Sequence, residues 1–293
     1  SIWLKFKKIP YIIDVKDKWP IIFLEPFPEI LRFIFKFLIL PYSIMTRFVF
    51  NNSKVISSVS KSYIEWINTY KKIKKRTKSI VLPLVSQKMI FKQDEITNSY
   101  KWWETKGVYH NKEPKLIFIG SLSNAFNFNY IRELADFLLL NKPSTQLIIC
   151  GTGPLEKDLH QRMKGSKNIK LAGWISGANI PTLYKMSTAA FSPYKSTTNF
   201  VDNIPNKVID AISYSVPLLS SLDGEVKNLI EKNKIGFHYE TQDELNKYSL
   251  ELIVNTDLRN VMKKNTKLLY DEMFNYDKCY NKINDIIKNI SLN

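Results

Sequence analysis

The segment AAFSPYKSTTNFVDNIPNKVIDAISYSVPLLSS, residues 189–221, decides the fold of this chain. Its opening run, 189–193, is typical of a buried strand, and VPLLSS at 216–221 is typical of another. Between them Pro205 begins an amphipathic stretch, 205–214, because proline is tolerated in the first turn of a helix. Strand, helix and strand in this order predict a βαβ unit with two parallel strands.

The same alternation continues on both sides of this unit. Further strand-like runs are KLIFIG (115–120), QLIIC (146–150) and IKLAG (169–173), and helical patterns fall near 127–141, 154–164, 179–186 and 224–232. We therefore predict an α/β domain with a doubly wound parallel sheet covered on both faces. Ligands bind such sheets beyond the carboxyl ends of the strands, which here are Ile119, Cys150, Ala172, Phe191 and Ser220.

The first third of the chain has a less regular pattern. KIPYIIDV (8–15), KVISSVS (54–60) and SIVLPLV (79–85) indicate strands, and 61–76 indicates a helix. Residues 86–112 are mostly polar without a sustained period. We assign 1–96 to a partial N-terminal domain, 97–112 to a linker, 113–272 to a C-terminal binding domain and 273–293 to a C-terminal helix, for which packing against the N-terminal domain is one option.

The charge distribution points to an anionic partner for the first third. The chain of 293 residues carries a net charge of +16, and residues 1–112 hold 21 Lys and Arg against 8 Asp and Glu. Anionic membranes and nucleic acids both attract such charge. No nucleic-acid-binding motif is recognisable, so we do not expect nucleic acid as a partner. The two distant cysteines indicate neither disulfides nor zinc and favour a reducing cytoplasm.

The apolar stretch at 30–50 is interrupted by Arg32, Lys36, Pro41 and Arg47. A membrane-spanning helix needs about 20 nearly uncharged residues, so this stretch is not predicted to cross a bilayer. Two interpretations stay open: it lies in the membrane interface, or it packs inside its own domain. The start at Ser1, without Met or a signal peptide, is interpreted as an interior point of a longer chain.

Glycine-containing loops follow two of the predicted strands. Gly120 and Ser121 end the first in IGSLS, and Gly151 and Gly153 end the second in CGTGP. Glycine lets a backbone approach a ligand closely, but it also simply forms turns.

The proline-initiated helix is a sharper candidate for ligand binding. Its free N–H groups and positive dipole end suit a phosphate, and Lys207 adds a cation in the first turn. Asp210 and Asp202 are carboxylates that accept hydroxyl hydrogen bonds, from ribose and from a sugar respectively. Alternatively, Asp202 or Asn203 caps the helix and Asp210 is a solvated helix residue. Spacing alone leaves both interpretations open.

Six motifs in order resemble the donor-binding half of family 4 glycosyltransferases: FIGSLS, LIICGTGP, IKLAGWI, LYKMSTAAFSPY, NIPNKVIDAISYSVPLLSS and GEVKNLI. The N-terminal segments KIPYIIDVKDKWP and VISSVSKSYIEW resemble the same family. The resemblance implies the GT-B fold, with two Rossmann-like domains of which the N-terminal one is incomplete by roughly its first hundred residues.

The resemblance also implies roles for individual residues. The Glu-x7-Glu motif of the family appears as Asp202 and Asp210. Lys16 stands where many members have a histidine, and Asp17 matches the aspartate after it. Many members carry an Arg and a Lys after the first strand of this domain, but SLSNAFNFN has neither. We expect Lys16, Asp17 and Asp202 at the catalytic centre, and donor binding by Gly120, Ser121, Gly151, Gly153, Trp174, Ile175, Asp202, Asn203, Ile204, Asn206, Lys207 and Asp210.

The activity that the resemblance implies is transfer of a hexosyl or N-acetylhexosaminyl group from a nucleotide-sugar with retention, by same-face internal return. It needs no nucleophilic side chain, no metal and no cofactor. We expect a lipid-linked or glycan acceptor of bacterial surface polysaccharide synthesis, and a cytoplasmic protein peripheral to the inner membrane face. The alternatives are a non-catalytic GT-B-like binding or docking protein and a sugar-nucleotide epimerase, which would need acid and base side chains.

Overall fold

The computed structural model describes residues 2–24, 27–70, 77–196 and 198–291. The chain forms two compact units. Unit 1 comprises residues 1–85, 197–205 and 276–293, and unit 2 comprises 86–196 and 206–275.

Unit 1 is built on a parallel sheet in the order β1-β2-β3, formed by Ile12–Val15, Val55–Ser58 and Lys78–Val81. Its helices are α1 (Ile2–Phe6), α2 (Glu29–Leu38), α3 (Leu40–Asn52), α4 (Lys61–Tyr70), α9 (Thr198–Val201) and α14 (Tyr276–Ser291), with a 3-10 turn at Ile21–Leu24. The helix predicted at 61–76 is thus found as α4, and 71–76 lie outside the described residues. Ile56, Tyr63 and Ile67 are fully buried in the core of the unit.

Unit 2 contains a parallel sheet of six strands in the order β6-β5-β4-β7-β8-β9. The strands are β4 (Lys115–Ile119), β5 (Gln146–Cys150), β6 (Ile169–Gly173), β7 (Ala189–Ser192), β8 (Leu218–Ser220) and β9 (Gly236–His238). This order is that of the doubly wound Rossmann sheet, so the α/β fold predicted from the alternating pattern is confirmed. The strand order reverses between β4 and β7. Doubly wound sheets bind ligands at such a reversal, beyond the carboxyl ends of the strands.

The helices of unit 2 are α5 (Gln93–Thr105), α6 (Asn129–Asn141), α7 (Glu156–Arg162), α8 (Asn179–Met186), α10 (Asn206–Ser213), α11 (Glu225–Asn233), α12 (Gln242–Val254) and α13 (Thr256–Leu269), followed by a π-helical turn at Tyr270–Phe274. The helix α10 begins one residue after Pro205, as the sequence predicts.

The first boundary between the units lies between residues 85 and 86, whereas the sequence predicted a linker at 97–112. Residues up to Thr105 are helical, and α5 packs on α8: Trp103 Nε1 donates to the Asn179 carbonyl at 3.1 Å, and the Ser99 and Thr182 hydroxyls lie 2.6 Å apart. The polar sequence hid this packing because α5 buries only Ser99 and Trp103. At the other end, Lys282 of α14 donates to the Val81 carbonyl at 3.0 Å within unit 1.

In the part of the chain that the structure describes, no single helix has the length and apolarity of a membrane span. Helices α2 and α3 reach that length and composition only together, with a bend of 66° between them.

Candidate functional site

The glycines after β4 and β5 bring two loops of unit 2 into contact. A Cβ on Gly151, whose φ is +132°, would lie 1.8 Å from the Gly120 carbonyl oxygen, and one on Gly153 would lie 2.5 Å from that of Leu122. The Gly120 N–H also donates to the Cys150 carbonyl at 3.0 Å. The space at Gly151 and Gly153 is therefore filled by the neighbouring backbone, while Ser121 is exposed beside it.

Lys207 places a cation at the point where the strand order reverses. A Cβ on Gly120, directly after β4, would lie 2.5 Å from both Cε and Nζ of Lys207. The ammonium group lies 4.0 Å from the ring centroid of Phe126 and 5.3 Å from those of Phe118 and Tyr194. Tyr194 follows β7, so the lysine lies against both strands of the reversal. A cation over aromatic faces is electrostatically favoured.

Burial changes the protonation of this cation. It lowers the pKa of Lys207 from 10.5 to about 8, and the nearby Asp210 carboxylate only partly opposes the shift. The ammonium group is thus charged but poorly solvated at neutral pH. An anion arriving beside it would be strongly attracted, because few water molecules screen the pair.

Asp210 lies one turn beyond Lys207 on α10. Burial raises the pKa of its carboxyl group, while a hydrogen bond from Ser86 and the charge of Lys207 lower it. The rings of Tyr184 and Tyr214 stack nearby with centroids 4.7 Å apart. A carboxylate has about four lone-pair sites, so Asp210 keeps acceptor capacity for hydroxyl groups of a ligand.

Asp202 belongs to unit 1 and is held there through both its side chain and its backbone. Its carboxylate forms an ion pair with Lys18, whose side chain is only 9% exposed against 27% for Asp202. Its carbonyl accepts a hydrogen bond from Ser60 Oγ at 2.5 Å. A sugar hydroxyl would therefore reach Asp202 in competition with Lys18 or alongside it.

The loop before α10 uses one of its amides internally. The N–H of Ile204, one of the predicted donor-binding residues, donates to Asn203 Oδ1 at 2.7 Å, so this amide already has a partner. Asn206 and Lys207 stand in the first turn of α10, where N–H groups have no partner within the helix. Of the N–H groups at the helix start that were predicted to suit a phosphate, these two are the best placed to bind one.

Lys16 and Asp17 follow the carboxyl end of β1 in unit 1. Lys16 Nζ lies 2.9 Å from Asp14 Oδ2, and Ser57 Oγ donates to Asp14 Oδ1 at 2.7 Å. Both Lys16 and Asp17 line a cavity of about 480 Å³ whose remaining walls are mostly apolar: Ile13, Val15, Trp19, Met45, Val49 and Phe50. Its volume is in the range of small-molecule sites.

Trp174 and Ile175 follow β6 and differ sharply in exposure. The Trp174 side chain is 71% exposed, whereas Ile175 is 6% exposed. The indole ring is thus open to a ligand or solvent, and Ile175 anchors the loop in the core.

Within the described ranges, one cluster of side chains has the composition of a metal site. Ligand atoms of Asp223, His238 and Glu240 all lie within 4.8 Å of one another. The Lys227 ammonium lies 2.9 Å from Glu240 Oε1 and 3.9 Å from Asp223 Oδ1, so a cation already balances these carboxylates. Metal independence stays a prediction.

Sequence reasoning missed five residues that shape these sites: Lys18, Ser60, Ser86, Phe126 and Tyr194. Lys18 lies within the conspicuous segment VKDKWP, but no local pattern distinguishes a buried lysine from a solvated one. The aromatic residues Phe126 and Tyr194, which follow β4 and β7, could have indicated a surface that binds a cation.

Comparisons with known proteins agree with this architecture. A family model described as "Glycosyl transferases group 1" matches residues 103–269. No curated protein matches the sequence significantly. Sucrose-phosphate synthase from Thermosynechococcus elongatus is structurally similar, with TM-score 0.69, 10% identity, and coverage of 99% of this chain and 71% of that protein.

Two further solved structures are similar over much of the chain. Anabaena HepE, solved with UDP and glucose, has TM-score 0.67 and 15% identity, with 98% of this chain and 73% of HepE covered. WaaG, a glycosyltransferase involved in lipopolysaccharide biosynthesis, has TM-score 0.58 and 16% identity, with 80% and 63% covered. The chain thus spans about two thirds to three quarters of these proteins. These likenesses show the GT-B fold.

Proposed function

The chain belongs to the group 1 glycosyl transferases, and from this premise we propose a retaining enzyme of bacterial surface polysaccharide synthesis. It transfers a hexosyl or N-acetylhexosaminyl group from a nucleotide-sugar to a lipid-linked or glycan acceptor. HepE has been solved with UDP-glucose, and the pneumococcal O-GlcNAc transferase GtfA with UDP and GlcNAc, which supports a nucleotide-sugar donor here.

The position of Lys207 is the observation that carries this proposal. Its ammonium lies against Gly120 and Tyr194, at the reversal of strand order where doubly wound sheets bind nucleotides. The first-turn amides of α10 lie on the same helix, and a helix N-terminus attracts phosphate. Lys207 therefore takes the place of the Arg and Lys that many relatives carry after the first strand.

The two acidic residues then complete donor binding. Asp210, half-buried one turn after Lys207, accepts the ribose hydroxyls. Asp202, tied to Lys18, accepts hydroxyls of the transferred sugar, and Trp174 and Ile175 meet the nucleobase.

The same residues stabilise the transition state. The diphosphate gains negative charge as it leaves, so a preorganised cation and helix amides stabilise the transition state more than the ground state. The leaving phosphate takes the acceptor's proton on the same face, so no nucleophilic side chain is needed. Lys16 and Asp17, which line the cavity after β1, contact the reacting sugar or the acceptor.

The acceptor and the location belong to the same proposal. The excess of basic residues in the first third supports an acceptor presented at an anionic membrane. We place the enzyme in the cytoplasm, peripheral to the inner face of the membrane.

Titration calorimetry with UDP, GDP and their sugar conjugates tests the proposal. We expect saturable binding of one nucleotide that is at least about tenfold weaker in Asp210→Ala, since a ribose hydrogen bond to a charged group is lost. Binding without any turnover of the sugar would favour the non-catalytic docking protein. Acceptor-independent conversion to an epimeric sugar nucleotide would favour the epimerase.

A further inference from the structure

Helix α2 carries an exposed apolar face. Ile30, Phe33, Ile34 and Phe37 recur at positions i, i+3, i+4 and i+7, which places them on one side of the helix. Their side chains are 84%, 67%, 58% and 66% exposed, and α2 buries no residue at all. We call these four residues the α2 apolar face.

The polar side of α2 points the other way, toward unit 1. Glu29, Arg32 and Lys36 line a cavity together with Lys18, Ile21 and Leu24 of the same unit. Phe33, although 67% exposed, also lines this cavity, whereas Ile30, Ile34 and Phe37 do not. Arg32 Nε also donates to the Phe27 carbonyl at 2.8 Å. A surface helix ordinarily turns its apolar stripe to the core and its charges to water, so the orientation of α2 is inverted. An inverted helix implies an apolar partner outside.

Neighbouring elements add apolar groups and positive charge. At the start of α3, Leu40 and Ile44 are 53% and 62% exposed. Lys5 of α1 lies 4.7 Å from the Phe48 ring centroid of α3, which ties α1 to this region. Exposed Lys7 and Lys8 follow α1 directly. The first 52 residues contain eight Lys and Arg against four Asp and Glu.

We propose that the α2 apolar face docks in the interface of an anionic lipid membrane, with α2 lying in the plane of the bilayer. The proposal rests on the proposed function, since it names the surface that brings unit 1 to a membrane-borne acceptor. Aromatic and aliphatic groups enter the headgroup boundary, and nearby lysines bind anionic lipid. A second copy is the poorer partner, because it would bring two basic surfaces together. The bend of 66° after α2 suits a helix that stays in the interface.

Vesicle co-sedimentation tests this docking. The purified chain is mixed with vesicles of phosphatidylcholine alone or of phosphatidylcholine with phosphatidylglycerol, at low and high salt. The docking variant is Phe33→Ser with Phe37→Ser, whose side chains are 67% and 66% exposed. The matched control is Leu140→Ser with Leu268→Ser, which removes two exposed side chains from unit 2, 85% and 58% exposed. Lys7→Gln with Lys8→Gln tests the charge.

We expect binding to the anionic vesicles only, weakened about tenfold or more in the docking variant and unchanged in the control. The lysine variant should weaken vesicle binding about fivefold for each lysine removed. High salt should weaken it as well, because salt screens the attraction between lysines and anionic lipids. Circular dichroism verifies that each variant is folded. Equal vesicle binding by the docking variant and the control, or no binding by the native chain, would overturn the proposal.

Two further measurements separate the possible failures. If light scattering shows a dimer that the docking variant converts to a monomer, the face is an interface between copies and the proposal falls. Calorimetry with UDP reports the donor site independently: the docking variant keeps UDP binding, and Asp210→Ala keeps vesicle binding. If the native chain did not bind UDP, the proposed function would be refuted, but the result of the vesicle experiment would still stand.

Discussion

At the scale of single residues, Lys207 joins electrostatics to donor binding. Burial lowers its pKa to about 8, so in the free protein its charge is lost as pH rises through that value. A bound diphosphate favours the charged form, and nucleotide binding should therefore take up a proton above pH 8. The affinity for the nucleotide should be highest below this pH and should fall above it, by at most about tenfold per pH unit.

Calorimetry with UDP between pH 7 and pH 9.5 measures this dependence. Lys207→Arg keeps its charge throughout and should flatten the profile, whereas Lys207→Met should bind weakly at every pH. An unchanged profile in Lys207→Met would show that another group is responsible.

The buried cation also has a cost in stability. Because the unfolded chain holds the Lys207 proton more tightly, with a pKa near 10.5, the folded state should gain stability as pH rises from about 8 to 10.5. At neutral pH, Lys207→Met should thus unfold at a higher temperature than the native chain while binding UDP less well. Such opposite changes are typical of residues retained for function.

Gly120 and Gly151 offer a matched pair of substitutions. In Gly120→Ala the new Cβ clashes with the flexible end of Lys207, at 2.5 Å, and makes an ordinary contact with Phe118 at 3.5 Å. The ammonium group therefore moves while the backbone stays in place. In Gly151→Ala the Cβ meets the rigid Gly120 carbonyl at 1.8 Å, and φ is +132°.

We expect Gly120→Ala to weaken UDP binding about tenfold, which is the effect of losing one charge-assisted contact. Thermal unfolding should change little. Gly151→Ala should cost at least about 1–3 kcal/mol of stability. Thermal denaturation and calorimetry on both variants check this. If Gly120→Ala and Gly151→Ala unfolded at comparable temperatures, the predicted difference between a flexible and a rigid neighbour would be wrong.

At the scale of elements, Ser60 links the start of α4 to the loop that carries Asp202. Its Oγ accepts from the Tyr63 N–H at 3.1 Å, as a helix cap does, and donates to the Asp202 carbonyl. Ser60→Ala should cost about 1–2 kcal/mol as a lost cap. Because the loop loses an anchor, KM for the nucleotide-sugar should rise more than the Kd for UDP.

Thr69→Ala is the control for this prediction. Thr69 Oγ1 donates only within α4, to the Trp66 carbonyl at 2.7 Å, and is exposed. It should leave both constants unchanged. Equal rises in KM and Kd for Ser60→Ala would mean that the loop does not position the sugar.

At the scale of the whole molecule, local patterns predicted the sheet but not the long-range contacts. Strands β4 to β8 and the start of α10 at Pro205 followed from β-rich runs, helical periodicity and proline chemistry. The Lys18–Asp202 ion pair joins residues 184 positions apart, which no local pattern specifies. The extent of α5 was missed because its contact surface with α8 is largely polar.

The whole enzyme is also predicted to work without a divalent metal. The proposed site neutralises the diphosphate with Lys207 and helix amides, and the acidic cluster at Asp223 and Glu240 already contacts Lys227. EDTA should therefore leave turnover of the nucleotide-sugar unchanged, as should added Mg²⁺ or Mn²⁺. A rate that is lost in EDTA and restored by Mn²⁺ would refute this prediction. If Mn²⁺ then failed to restore the rate in Asp223→Asn, the metal would be assigned to that cluster.

Lys227 competes with a metal ion for the same carboxylates. Lys227→Met should therefore strengthen any metal binding at the cluster, which calorimetry with Mn²⁺ measures directly.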